Sequence, residues 1–228
     1  MNTMLINGGF LEEFNHPVIR KIEFYYHNPS IVYFNNGKIK TIDLSCNPYH
    51  SQYGIAVSEN GDILFQGNWH TKDGLIAYHI MDERILWKKS ISHISDIEVH
   101  NSVLTVAVRG KSITQLNIHD SSIIQQLQSK SIERMYRLNE NLVLVNRFKR
   151  NICIFDLESL HIEAFFPELV VNPNQFLSFV IQSAFIDNDC IVITGFEGGG
   201  TKMEPKSSIR LQPFTRELGD IAHCLHTE

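Results

Sequence analysis

The chain has no Cys-x-x-Cys pair, no long apolar run and no sustained 3.6-residue hydrophobic period, and each absence excludes something. Its four cysteines, Cys46, Cys153, Cys190 and Cys224, stand far apart. Cys153 and Cys190 lie inside apolar, strand-like runs, where a reduced and buried thiol is expected. Without a stretch of about 18 apolar residues no transmembrane helix is expected. The opening segment MNTMLINGGFLEEFNH carries neither a basic n-region nor the apolar core of a signal sequence, so the expected setting is cytoplasmic, with no membrane partner. Catalytic signatures are missing as well: there is no H-E-x-x-H, G-x-S-x-G, Walker or G-x-G-x-x-G sequence. Histidines are scattered singly apart from His223 and His226, which flank Cys224 at the C-terminal end and read as a solvated tail. Neither a cofactor nor a metal is therefore expected. The run EGGGTK (197–202) lacks the Lys-Ser/Thr and the helix that a phosphate cradle requires, and reads as a loop.

What remains is an ordinary globular composition. Hydrophobic residues make up 43% and charged residues 20% of the 228 positions, which is too apolar for a disordered chain. A chain of this length buries roughly 70–75% of its unfolded surface, enough for one sizeable core or array. The net charge of −5 and a pI near 6.1 argue, as surface averages, against a dedicated nucleic-acid binder.

The informative feature is a repeat. An apolar residue followed by another five positions on occurs in IKTIDL, LIAYHI, ITQLNI, ICIFDL and IRLQPF, which start at Ile39, Leu75, Ile113, Ile152 and Ile209. The starts are 36, 38, 39 and 57 residues apart, so only the last interval is irregular. Upstream of each lies a denser apolar run (SIVYF, DILFQG, SVLTVAV, NLVLVN, CIVITG), and before each run a turn signal such as ENG or NEN. Another short strand precedes each turn (IRKIEF, YGIAV, ISDIEV, IERMYRL, SFVIQSAF). A more polar fourth element follows, clearest in ILWKK, IIQQLQ and HIEAFF. Abundant Ile, Val, Phe and Tyr support strands throughout. Nearly continuous apolar second strands imply cover on both faces. Lys88, Lys89, Gln125, Gln126 and Glu163 in the fourth strands mark an exposed outer edge.

Buried inner strands and polar outer ones, repeated radially, make a β-propeller. A sandwich or open β array is the alternative that accidental spacing would leave. The chain resembles the WD40-like and related propeller repeat families over about residues 17–218, with Phe155-Asp156 where the family's Trp-Asp pair falls and Ile42-Asp43 as a second match. No Trp-Asp or Gly-His dipeptide occurs. The expectation is all-β: a single propeller domain of five blades of four antiparallel strands, at about 17–52, 53–93, 94–131, 132–171 and 176–218. Residues 1–10 are expected to give a closing strand to the last blade.

Two groups of residues are candidates for function. The resemblance extends to five-bladed glycosidases, which need carboxylates facing a central channel. Glu23, Asp96 and Glu133, on the first strands, are the candidates for such a glycosidase or lactonase-like activity. The second group lies in the connections between second and third strands: NNGK (35–38), GNWHTKDG (67–74), RGK (109–111), NRFKRN (146–151) and GFEGGGTKMEPK (195–206). These hold nine basic residues, Lys38, Lys72, Arg109, Lys111, Arg147, Lys149, Arg150, Lys202 and Lys206, against three acidic ones. That rim would carry a charge near +6 and leave the rest of the chain near −11. Such a separation raises the on-rate for an anionic partner, and Trp69, Phe148 and Met203 in the same connections could anchor it. Basic hairpin tips can also serve only to solubilise and to block edge pairing. The expected function is a non-catalytic protein-binding module whose partner has an acidic or phosphate-bearing surface. A narrower version neutralises that partner as a toxin-immunity protein does, and nucleic-acid binding by the rim is a further alternative.

Overall fold

The computed structural model describes residues 2–44, 54–67, 74–128, 132–139, 142–147, 152–166, 178–187, 190–198 and 203–211. Among these residues there are twenty strands and no helix, hence no helix long and apolar enough to cross a membrane. The first sheet comprises β1 (Asn2–Ile6), β2 (Gly9–Glu13), β3 (Ile19–Tyr25), β4 (Ser30–Phe34) and β5 (Ile39–Ile42). The second holds β6 (Ile55–Val57), β7 (Ile63–Gly67), β8 (Leu75–His79) and β9 (Arg84–Lys89). The third holds β10 (Ile94–His100), β11 (Val103–Val108), β12 (Ser112–Asn117) and β13 (Ile123–Gln128). The fourth holds β14 (Ile132–Arg137), β15 (Leu142–Arg147), β16 (Ile152–Asp156) and β17 (Ile162–Phe166). The fifth holds β18 (Ser178–Asp187), β19 (Cys190–Gly198) and β20 (Met203–Leu211). Neighbours in each sheet are neighbours in sequence, so every sheet is a simple meander.

The blade count differs from the expected five. Four sheets reach the expected complement of four strands, but the fifth has three among the described residues, so five complete blades are not observed. Among the described residues, Asn2–Ile6 pair with Gly9–Glu13 at the edge of the first sheet. Asn7-Gly8 makes the two-residue hairpin turn that joins them, with Gly8 at φ +77°.

The chain divides into two compact units, residues 1–108 with 113–125, and residues 109–112 with 126–228. In the first, the alternation of β3 and β4 buries Ile22, Phe24, Val32 and Phe34 against Ile55, Val57, Leu64, Tyr78 and Ile80 of the second sheet. The opposite face of the second sheet packs Ile63, Phe65, Leu75 and Ala77 on Ile94, Leu104, Val106 and Leu116 of the third. Being covered on both sides is why β7 is apolar almost throughout and buried at every residue. Each large side chain so buried contributes about 1.5–3 kcal/mol. Gly67 is needed where the sheets come closest, since a Cβ there would lie 2.8 Å from Ile94 Cγ2. The outer strands β9 and β13 are largely exposed, as their Lys and Gln content requires.

Outer strands also clamp the next sheet. Lys40 Nζ on β5 donates to the Met81 carbonyl in the β8–β9 turn at 2.8 Å and pairs with Glu83 at 3.0 Å. Trp87 Nε1 and Lys89 Nζ on β9 donate to the Ile118 and Ser121 carbonyls in the β12–β13 turn at 2.8 and 2.6 Å. In the second unit, Leu144, Ile152, Ile154, Ile181, Ile191 and Ile193 form the core, and the Tyr136 hydroxyl donates to the Ile181 carbonyl at 2.8 Å.

Candidate functional site

Of the candidate rim residues, Arg109 and Lys111 are fully described. Both are exposed, on the β11–β12 turn that Gly110 closes at φ +70°. Arg147 is the last residue of β15, where the chain leaves for β16, and pairs with Ile132. Arg109 and Lys111 thus stand in the connection between second and third strands, and Arg147 closes the second strand of the following sheet. Lys206 is placed differently from expectation: it lies within β20 opposite Gly195, because β19 runs on to Gly198 and β20 starts at Met203. The Gly-rich connection is therefore only residues 199–202. Trp69, Lys72, Phe148, Lys149, Arg150 and Lys202 lie outside the described residues.

Lys38 does not belong with this group. Its turn, between β4 and β5, is held to the β2–β3 loop by Asn35, whose N–H donates to the Val18 carbonyl at 2.9 Å. The Asn35 side-chain amide donates to the carbonyls of His16 and Pro17 at 2.8 and 2.9 Å. That loop bonds through His16 Nε2 to the Ser58 carbonyl in the β6–β7 turn at 3.0 Å. Glu59 of the same turn accepts from the Asn101 N–H in the β10–β11 turn at 2.9 Å. Lys38 thus stands with the turns that join first and second strands, whereas Arg109 and Lys111 occupy the opposite end of their own sheet. Counted from β2, the first sheet falls into the same order as the next two. The repeat frame read from the sequence began one strand late there.

Glu23 Oε1 accepts from Lys21 Nζ at 2.9 Å, and Oε2 accepts from the hydroxyls of Tyr25 and Tyr33, each at 3.0 Å. Burial alone would raise its pKa, but these three hydrogen bonds and the Lys21 charge outweigh it and hold the carboxyl below its usual value. A general acid needs the opposite shift, so this group is suited to organising its neighbours. Lys21 Nζ also stands 4.2 Å from the centre of the Tyr33 ring. Asp96, on β10, turns Oδ1 back to its own chain and accepts from the Ile97 N–H at 2.9 Å. Glu133 falls in β14, at the irregularity between the Ile132 and Arg134 pairings. Among the described residues no three His, Cys, Asp or Glu side chains are grouped as metal ligands would be.

No protein-family model matches the chain, and no curated protein sequence does. Among solved structures it is similar to the β-propeller domain of Cps50 (Swd1) from Myceliophteria thermophila, with 10% identity, 91% of this chain and 73% of that one covered, and a TM-score of 0.59. It is also similar to the computationally designed Ika8 protein, with 11% identity and a TM-score of 0.57 over 81% of this chain. The match covers 54% of the designed chain, so this chain spans about half its length. The fold is all-β and of the β-propeller class.

Proposed function

We propose that this β-propeller is a protein-binding module without catalysis, and that it engages its partner through the connections between second and third strands. The observation that carries the reading is the recurrence of cations there, at Arg109 and Lys111 in one sheet and Arg147 in the next. The sequence adds Lys72, Lys149, Arg150 and Lys202 to the same connections. Cations so arranged favour a partner with an acidic or phosphate-bearing surface by steering its approach. Glu23, held ionised by its three hydrogen bonds, is not placed to be the general acid that glycoside chemistry needs. Within this reading, a cytoplasmic protein that neutralises its partner, as toxin-immunity proteins do, is the narrower form.

The test is capture from native lysate by the wild type and by an Arg147→Glu/Lys149→Glu/Arg150→Glu variant of equal circular dichroism. A protein retained by the wild type and lost by the variant supports the reading. Equal capture by both removes these connections from the interface. Retention of random oligonucleotides with a steep salt dependence would instead favour nucleic-acid binding.

A further inference from the structure

The β2–β3 loop meets the second sheet through one imidazole. His16 Nδ1 accepts from two backbone donors, the N–H groups of Val18 and Ile19, each at 3.1 Å. This is the bond pattern of an Asx or N-cap residue, with a ring nitrogen in place of the carboxamide oxygen. Two donors converging on Nδ1 leave it no proton, so the neutral ring carries its hydrogen on Nε2. That hydrogen is given to the Ser58 carbonyl at 3.0 Å, in the turn of the neighbouring sheet. The loop is further weighted by Asn35, which donates to the His16 and Pro17 carbonyls. Ile19, directly after the loop, is fully buried.

We propose that His16 is an acid-sensitive latch between the first and second sheets. A proton placed on Nδ1 turns the acceptor into a donor that faces two other donors. Both backbone bonds then break, and the ring can no longer lie in the plane that reaches Ser58. The charged groups on the elements around the ring are Glu13 and Arg20 on its own segment, Lys38 on the β4–β5 turn, and Glu59 and Asp62 on the β6–β7 turn. Glu59 is already engaged, by the Asn101 N–H at 2.9 Å and His100 Nδ1 at 3.7 Å. Asp62 accepts from the Asn60 side chain at 2.8 Å. His79 Nδ1 accepts from the Asp82 N–H at 3.1 Å and lies 3.3 Å from the Asp82 carboxylate.

The experiment is amide hydrogen exchange, corrected for intrinsic rate, at about pH 7.5 and about pH 5.5. In the wild type the Val18 and Ile19 amides should exchange about tenfold faster at the lower pH, while Val32 in the core of the same sheet stays unchanged. In His16→Asn, whose oxygen keeps both acceptor bonds at every pH, the two amides should show no such change. The ring's own nitrogen shifts should show Nδ1 unprotonated at the higher pH. Unchanged exchange at Ile19 in the wild type would overturn the latch, as would a protonated Nδ1 or an equal response in His16→Asn. Should that variant not fold, a wild-type acceleration spread equally over Val32 and Ile19 would overturn it, and one confined to the loop would support it.

Discussion

Replacing Glu23 with glutamine separates charge from shape. The amide keeps an oxygen for the tyrosine hydroxyls but loses the ion pair with Lys21 and the stronger acceptance of a carboxylate. Hydrogen bonds to a charged group contribute roughly 1.5–3 kcal/mol where shielded, and exposed ion pairs about 0–1 kcal/mol. The side chains of Lys21 and Glu23 keep 22% and 16% exposure, so solvent screens part of the network. The charge should then contribute about 1–2 kcal/mol at neutral pH. For a chain of this size that is a fall in Tm of roughly 2–8 °C. Because the folded-state pKa lies below the usual 4.5, this stabilisation is complete above the unfolded carboxyl's pKa. It is lost as the pH falls through the folded value. Urea unfolding of wild type and Glu23→Gln at neutral pH and near pH 3 measures it. The expected result is a deficit in the variant at neutral pH that shrinks toward zero in acid. A deficit of the same size at both pH values, or none at neutral pH, would refute the assigned hydrogen bonding.

Two further predictions concern the contacts between sheets. Trp87→Phe keeps an aromatic ring beside Phe65, 6.0 Å away between centroids, but removes the indole donor to the Ile118 carbonyl. It should lower urea-derived stability by about 1 kcal/mol with an unchanged m-value; no loss would mean that the clamp is immaterial. Gly67→Ala pushes a methyl group toward Ile94 Cγ2 and should cost about 1–3 kcal/mol by the same measurement. Ala tolerated there without loss would mean that the second and third sheets are not packed so closely.

The inner part of each blade was legible because burial writes itself into strands. Ile63–Gly67 read as covered on both faces, and the two cores on either side of β7 are the reason. ILWKK and IIQQLQ read as outer strands and are β9 and β13. The first sheet was misread where polarity and burial disagree. GFLEE looks half polar, yet it is strand β2, and Glu12 within it is completely buried. The signal that could have found it was the Asn7-Gly8 dipeptide between two apolar runs, the strongest short hairpin cue. Missing that strand shifted the frame and put Lys38 in the wrong group. The long β19–β20 hairpin was obscured by glycines and Pro205, which read as loop although Pro205 pairs with Phe196. His16 had no sequence signal at all, because its partner Ser58 is 42 positions away.

If binding belongs to one set of connections, charge reversal at the two ends of the sheets must have unequal effects. Arg109→Glu/Lys111→Glu alters the β11–β12 turn, and Lys38→Glu alters a turn of the other set. Each variant would be matched to the wild type by circular dichroism, and its affinity measured for whichever partner the wild type captures. The first variant should lose affinity, chiefly through a slower on-rate and a weaker salt dependence, while Lys38→Glu should bind as the wild type does. Equal affinity in the first variant, with loss in the second, would contradict it.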